Sequence, residues 1–407
     1  AGGALLGIPG HDFYYGWVRE FVARDPENIT TAMFAVCADF NTPYPLSEVA
    51  GTRGPRDCPL ILTWHDYRGD SAVPAYLGPW IENAFPKLRA QGAGGFFAME
   101  AWPEKRLDDP IHAAELDAFG RMTWDAELSA HEVARQYCRR RFGPDLPEEL
   151  TDAFTRTGDI VDLALFLPSG IRLARHCEVD DHLKRLWDVT VLTDSAPFFI
   201  DDRVREEIRA GNDNPLNILE RESQRLTDEN AIREALTTRD SAVADAEAVL
   251  ATVKAALDRA SSPNSNLEHY RMRCEWLVHY VRLFRGFTRA TLRLKQGNAR
   301  HADDVRQGAD EVRAAFTALP AEPSLDRHGV FPYWNPGGPW KIVNPDNFFA
   351  SLELAAELLD SSESQPIAVV GDPWARDYLD SLFLRYTAAE SVNDSIRSAK
   401  RIVLGPE

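Results

Sequence analysis

The first 110 residues alternate short apolar runs with segments of helical spacing, and this alternation limits the possible folds more than any other feature of the chain. The apolar runs are continuous, as expected for strands buried on both faces of a sheet. They read "GALLGI", "ITTAMFAV", "PLILTW" and "GAGGFFAME". Strands that alternate with helices are typical of a parallel sheet with crossover helices. The pattern therefore predicts an α/β fold, either a barrel or a doubly wound sheet.

The barrel is the favoured form of this α/β region. No Gly-x-Gly-x-x-Gly motif follows any of the apolar runs, which removes the main support for a doubly wound, dinucleotide-binding sheet. About four strand–helix units fit into this region, whereas a complete (β/α)8 TIM-type barrel needs about 250 residues. We therefore expect residues 1–125 to form the C-terminal part of such a barrel and to carry its active-site strand ends.

The sequence pattern changes after Gly143, and few strand-like segments follow it. The segment "SAHEVARQYCRRRFG" begins with Ser129 and Glu132 at capping-box spacing and ends at Gly143, which predicts a helix with a basic last turn. A longer helical pattern follows, and "SSPNS" is predicted to be the turn before it. Its apolar face contains Tyr270, Cys274, Leu277, Val281, Phe284 and Thr288.

These patterns predict a large, all-helical bundle domain over residues 126–361. A C-terminal strand and helix are predicted over residues 362–407. The helical domain is also a candidate homodimer interface.

The composition excludes several functional classes. The formal net charge of −18 argues against nucleic acid as a partner, because binding to phosphates depends on Lys and Arg. No apolar stretch of about 20 residues is present, so we expect no transmembrane helix and no membrane partner. The five cysteines are scattered without a Cys-x-x-Cys pair, which predicts free thiols and favours a reducing, cytoplasmic compartment.

Three predicted strands end in a carboxylate: Asp39, Asp66 and Glu100. In barrels and open α/β sheets, functional groups collect at the C-terminal ends of the strands. Paired carboxyl groups supply the acid and base of glycoside hydrolysis, and nearby aromatic rings suit the C–H faces of sugars. The rings concerned belong to Trp64, Trp80 and Trp102. The pattern predicts a carbohydrate substrate and a catalytic site that uses no cofactor and no metal.

The residues next to Asp66 are further candidates for substrate binding. Neighbouring side chains of a strand point to opposite faces, so His65 is expected to point away from Asp66. Arg68 shares the parity of Asp66 if the strand continues, and a guanidinium group matches the carboxylate of a uronic acid. Tyr67 lies between these positions.

Over about residues 31–143 the sequence resembles the xylan-debranching α-glucuronidases. The segments that carry the resemblance are "ADFNTPYPLSEVAG", "ILTWHDYRGDSAVPAYLGPWIENAF" and "HAAELDAFGRMTWDAELSAHEVARQYCRRRFG". The resemblance implies a barrel glycoside hydrolase that inverts the anomeric configuration, in which Asp39 and Asp66 act together as the general base. It also implies a surrounding framework made of Tyr67, Gly69, Tyr76, Gly78, Pro79 and Trp80.

The chain departs from that family at two points. The family has Glu where this chain has Asp66, whose side chain is one methylene shorter. The family's general acid lies on an earlier strand, upstream of this sequence, so Glu100 or another group would have to serve as the acid here.

Two other functions stay open. The segment "FGRMTWDAELSAHEVARQY" is also similar to segments that join barrel and helical domain in hexosaminidase-like enzymes, so a related glycosidase acting on another sugar is one alternative. A non-catalytic carbohydrate-binding protein with a degenerate barrel is the other.

Overall fold

A computed structural model describes residues 73–99, 110–166, 228–260, 262–296 and 299–321, together with shorter stretches at 9–10, 30, 32–33, 35, 46, 50–51, 56–62 and 356. The described residues are mostly helical and include four short strands. They divide into two compact units. The first contains the described residues of Ala1–Asp162 and Asp245–Leu277, and the second contains those of Leu163–Ser195, Leu219–Ala244 and Val278–Glu407.

The strands pair in parallel, as the sequence predicted. Strand β1 (Pro9–Gly10) pairs with β2 (Ala32–Met33). Strand β3 (Leu60–Leu62) pairs with β4 (Phe97–Met99), and helix α1 (Gly78–Gln91) lies between them in the chain. The two pairs are separate two-stranded sheets, and the described residues contain no closed barrel, so the TIM-type barrel stays a prediction.

Helix α1 buries one face, on which apolar residues recur at helical spacing. Ile81, Phe85 and Leu88 are buried, and Trp80 is half-buried. The Phe85 ring stacks on Phe96, with their centroids 3.9 Å apart. The helix ends at Gly92, whose φ of 116° is left-handed and suits glycine.

Four further helices complete the described part of the first unit before residue 163. They are α2 (Pro110–Trp124), α3 (Ala130–Phe142), α4 (Glu148–Thr155) and α5, which spans Thr157–Leu165 and crosses into the second unit. Helices α1, α2 and α3 pack against one another, and α4 packs against α3.

Helix α3 confirms the predicted helix but only half of the predicted capping box. The Glu132 amide donates to Ser129 Oγ at 3.1 Å, as expected. The Glu132 carboxylate pairs with Arg135 at the same end of the helix. The amide of Ala130, the first residue of the helix, donates to Glu82 of α1 at 2.9 Å. The first turn of α3 is therefore capped by two different parts of the chain.

The long helix after the predicted "SSPNS" turn is present and forms a hairpin with the helix before it. Helix α6 spans Glu229–Arg259 and α7 spans Ser265–Gln296. Ion pairs Lys254–Glu275 at 3.3 Å and Arg293–Glu229 at 2.6 Å, each within one unit, show that the helices run antiparallel. The predicted apolar face of α7 is buried at Tyr270, Cys274, Leu277, Val281, Phe284 and Thr288.

A 3₁₀ turn (Ala299–His301) leads from α7 towards the last described helix, α8 (Ala302–Thr317). No helix in the described ranges is both long and apolar enough to cross a membrane. The strand and helix predicted at 362–407 lie outside the described residues, and the predicted domain boundaries stay predictions.

The cysteines that the structure describes are free thiols, as predicted: Cys58, Cys138 and Cys274. Burial raises the pKa of Cys138 to about 12 and also raises the pKa of Cys274. Both thiols are therefore protonated near neutral pH, and they act as small core side chains.

Candidate active site

The C-terminal edge of the β3–β4 pair is the part of the described structure after which two predicted catalytic residues follow in the sequence. Leu62 is the register partner of Met99, so the chain leaves both strands at the same edge. Glu100 follows Met99 directly, and Asp66 follows shortly after Leu62. The register therefore places the ends of the two strands side by side.

Most of the predicted site residues lie outside the described residues. This holds for Asp39, Trp64, His65, Asp66, Tyr67, Arg68, Glu100 and Trp102. Trp80 is described, and it lies half-buried in the first turn of α1. The roles of all nine residues stay predictions.

Residues 73–77 form a fully buried, irregular segment that leads into α1. Side chains and backbone from three other helices hold this segment. The Tyr76 amide donates to Thr157 Oγ1 at 3.1 Å, and the Tyr76 hydroxyl donates to the Ala130 carbonyl at 3.2 Å. The Leu77 amide donates to Glu115 Oε2 at 2.9 Å. Because buried amides are costly without partners, these bonds fix the segment's position.

Tyr76 explains why a glycine stands at position 78. A Cβ atom on Gly78 would lie 2.3 Å from Cε1 of the Tyr76 ring, which is too close for any side chain. The ring is itself buried and packs on Phe154, with their centroids 5.0 Å apart, so it cannot move aside. The "YLGPW" segment thus fits the framework role that the resemblance implies.

Burial is the main cause that raises the pKa of Tyr76 far above its usual range, and the nearby Glu115 carboxylate adds to the shift. The phenol therefore keeps its proton at any ordinary pH. Its hydroxyl acts as a donor to a backbone carbonyl and holds the segment in place, so we assign it no acid–base role.

Two buried polar side chains of α2 were missed by sequence reasoning. His112 and Glu115 lie one turn apart on α2, and each is 1% exposed. They share a face of α2 with the buried Ala118 and Met122. A signal was present in the sequence, because His and Glu occupy positions at which helical spacing predicts apolar residues.

Glu115 lies beside the beginning of α1, because its Oε2 accepts a hydrogen bond from the Leu77 amide at 2.9 Å.

Asp57 is a buried carboxylate at the other end of β3. It is 0% exposed and accepts a hydrogen bond from the Gly51 amide at 2.9 Å. Gly51 has a φ of 86°, which glycine adopts easily. At the N-terminal edge of parallel strands such residues usually stabilise the fold. We therefore assign Asp57 to structure.

No cluster of three or more His, Cys, Asp and Glu side chains able to hold a metal ion occurs within the described part of the chain.

Comparisons with known proteins found one weak structural similarity, described below. No family model matches the chain, and no curated protein matches it. Among solved structures, a GH138 enzyme targeting pectin rhamnogalacturonan II aligns with a TM-score of 0.48 and 14% sequence identity. The alignment covers 78% of this chain but only 39% of that enzyme, so this chain spans less than half of the enzyme's length. A likeness at this level carries no argument about fold or activity.

Proposed function

We propose that the protein is a glycoside hydrolase that cleaves a glycosidic bond in uronic-acid-bearing oligosaccharides with inversion of configuration. The observation that carries the proposal is the parallel register of β3 and β4, whose C-terminal ends lead directly into the segments with Asp66 and Glu100. Two carboxyl groups that flank one bond are the requirement of this chemistry.

The roles follow from the inverting mechanism. Asp39 and Asp66 take the proton of a water molecule, whose oxygen attacks the anomeric carbon. Glu100 donates a proton to the leaving oxygen as the glycosidic bond breaks. The acid and base carboxyl groups must stand about 6.5–9.5 Å apart to leave room for the water.

The remaining predicted residues bind the sugar. Trp64, Trp80 and Trp102 offer aromatic faces to its C–H surfaces. Arg68 pairs with the uronate carboxylate through its guanidinium group, and Tyr67 belongs to the framework around Asp66.

The test is kinetic and uses the full-length protein with aryl glycosides and glucurono-xylooligosaccharides. Asp39→Asn, Asp66→Asn and Glu100→Gln are each expected to lower kcat by about 10²–10⁴-fold, because each loses a proton-transfer group. Glu127→Gln is the matched control, since Glu127 is exposed in the turn between α2 and α3 and should leave kcat unchanged. Thermal unfolding of every variant checks that the fold persists.

The outcomes separate the alternatives. Undiminished turnover in both Asp39→Asn and Asp66→Asn would contradict their assignment to the base side. NMR of the first product formed reports whether the configuration is inverted. Binding of sugars by the wild-type protein without any turnover would favour the carbohydrate-binding alternative, and release of an N-acetylated sugar would favour the hexosaminidase-like one.

A further inference from the structure

The ends of three helices meet at a cluster of charged side chains in the second unit. Arg293, in the last turn of α7, pairs through both Nη atoms with Glu229, the first residue of α6, at 2.6 and 3.0 Å. Its Nε lies 3.1 Å from Asp304 Oδ2 in the first turn of α8. Because Arg293 contacts carboxylates of two other helices, it joins the end of α7 to the start of α6 and to the start of α8.

His301 lies in this cluster directly before α8, and it is 9% exposed. Its two ring nitrogens contact opposite kinds of group. Nδ1 lies 3.4 Å from Asp304 Oδ2, and Nε2 accepts a hydrogen bond from Arg300 Nε at 3.1 Å. A neutral imidazole has one N–H donor and one acceptor nitrogen, so the neutral ring with its proton on Nδ1 satisfies both contacts.

Protonation of His301 would disturb the cluster in two ways. The imidazolium ion donates from both nitrogens, so Nε2 no longer accepts from Arg300, its neighbour in the 3₁₀ turn. The new positive charge also lies beside Arg293 and competes with it for the same oxygen, Asp304 Oδ2. Arg293 cannot easily move away, because Glu229 holds both of its Nη atoms. Protonation therefore weakens the contact between the end of α7 and the start of α8.

Charged groups face the ring from each described helix end in the cluster. Burial is the main cause that lowers the pKa of His301 from its ordinary value of 6.5, and Arg293 of α7 and Arg300 of the 3₁₀ turn lower it further. Asp304 of α8 and Glu229 of α6 act in the opposite direction and offset only part of this. Hydrogen bonds from Arg293 lower the pKa of Glu229 to about 2, so Glu229 stays ionised while His301 titrates.

We propose that His301 makes the junction of α7 and α8 acid-sensitive. While the ring is neutral, Asp304 pairs with Arg293 and joins the two helix ends. Once the ring is protonated, its charge opposes that pair and the junction loosens. The inference concerns described residues of the second unit and does not depend on the proposed glycosidase activity.

The direction of the pH dependence follows from the lowered pKa. In the unfolded chain His301 takes up a proton near its ordinary pKa of 6.5, whereas the folded protein takes it up only at lower pH. The stabilising contribution of His301 is therefore fully present above pH 6.5. It is lost as the pH falls from 6.5 through the pKa of the folded state, and no further loss follows below that pKa.

The test combines NMR titration of the histidine Cε1–H signals with amide hydrogen exchange, both on the full-length protein. His301→Gln identifies the His301 signal and provides a side chain that does not titrate but still accepts from Arg300 and donates to Asp304. Arg300→Ala removes the cation at Nε2. Arg313→Ala is the matched control, since Arg313 lies about 18 Å further along α8.

The His301 signal is expected to titrate with a pKa below 6.5 in the wild type and with a higher pKa in Arg300→Ala. It should be unchanged in Arg313→Ala. Between pH 7 and pH 5, after correction for the intrinsic exchange rate, the protection factors of residues 299–306 should fall by about threefold or more in the wild type. They should stay nearly constant in His301→Gln, because the side chain at position 301 then takes up no proton.

Three results would overturn the inference. The first is a wild-type pKa of 6.5 or higher for His301, and the second is the same pKa in Arg300→Ala as in the wild type. The third is protection over residues 299–306 that stays constant in the wild type, or that falls equally in His301→Gln and so belongs to other groups. If His301→Gln does not fold, His301→Asn takes its place in the same comparison.

Discussion

At the scale of single residues, Arg239 on α6 is the most unusual buried group outside the candidate site. Its guanidinium is 0% exposed. Nε donates to Thr288 Oγ1 at 2.8 Å and Nη1 donates to the Ala235 carbonyl at 3.2 Å, while Nη2 has no hydrogen-bond partner among the described residues. Burial lowers the pKa of Arg239 because it penalises the charged form. A buried cation with only neutral partners is expected to destabilise the hairpin.

Replacement of Arg239 by Met should therefore stabilise the protein. Met keeps an unbranched apolar stem and removes the buried charge, and Thr288 Oγ1 still donates to the Phe284 carbonyl at 2.7 Å. We expect the free energy of unfolding to rise by roughly 1–4 kcal/mol, measured by urea denaturation.

Thr288→Val supplies the control for this prediction. It removes the acceptor of Arg239 Nε, so it should lower the free energy of unfolding by about 1–3 kcal/mol in the wild type. The loss should be smaller in the Arg239→Met background, where that donor is absent. A lower free energy of unfolding for Arg239→Met than for the wild type would contradict the account.

At the scale of elements, the close approach of α7 and α8 depends on two glycines. A Cβ atom on Gly308 of α8 would lie 2.6 Å from the Gly286 carbonyl oxygen and 2.7 Å from the Ala290 amide nitrogen, both backbone atoms of α7. Backbone atoms cannot rotate away as a side chain can. The two helices would therefore have to move apart to accept any other residue.

Gly308→Ala should lower the free energy of unfolding by about 1–3 kcal/mol, because the added methyl group overpacks this contact. Gly120→Ala is the matched control, since Gly120 lies inside α2 and a Cβ atom there would meet no atom within 4 Å. That variant should gain about 0.5–1 kcal/mol from the better helix propensity of alanine. Urea denaturation of the two variants measures both effects. An unchanged free energy of unfolding in Gly308→Ala would show that α7 and α8 can move apart at little cost.

The helices also show how far local patterns predict an element. The apolar spacing of α7 predicted its buried face correctly from Tyr270 to Thr288, because one side of a helix must face the core. The capping box of α3 was predicted from spacing alone, and only the Ser129 half is present. The neighbouring Ala130 amide donates to Glu82, which is 48 positions away in the sequence, and no local pattern encodes such a partner.

At the scale of the whole molecule, the net charge of −18 is the dominant long-range electrostatic feature. Like charges at this density repel one another and destabilise the compact state. Individual exposed ion pairs contribute little and offset only part of this repulsion.

Salt should therefore stabilise the protein at neutral pH. Raising NaCl from 0.01 M to 0.15 M shortens the screening length from about 30 Å to about 8 Å, which weakens the repulsion. We expect the thermal midpoint to rise with NaCl at pH 7. The same series near pH 5.1, about the isoelectric point that the composition implies, is the control and should show little change. A midpoint that falls with salt at pH 7 would mean that the ion pairs outweigh the repulsion.

The sequence by itself determined the features that depend on neighbours along the chain. These are the parallel strand–helix order around β3 and β4, the buried faces of α1 and α7, the end of α3 at Gly143, and the free thiols among the described cysteines. Each follows from apolar periodicity, from a residue that ends a helix or from composition. None of them requires a partner that is distant in the sequence.

Only the tertiary structure decided the features that join distant residues. Glu115 accepts from Leu77 across 38 positions, and Arg239 donates to Thr288 across 49. The tyrosine that requires Gly78 is near in sequence, but its ring is fixed in place by distant partners. Such pairs depend on how whole elements pack against one another. The spacing of apolar residues predicts which face of a helix is buried, but it does not predict which residue of another element that face contacts.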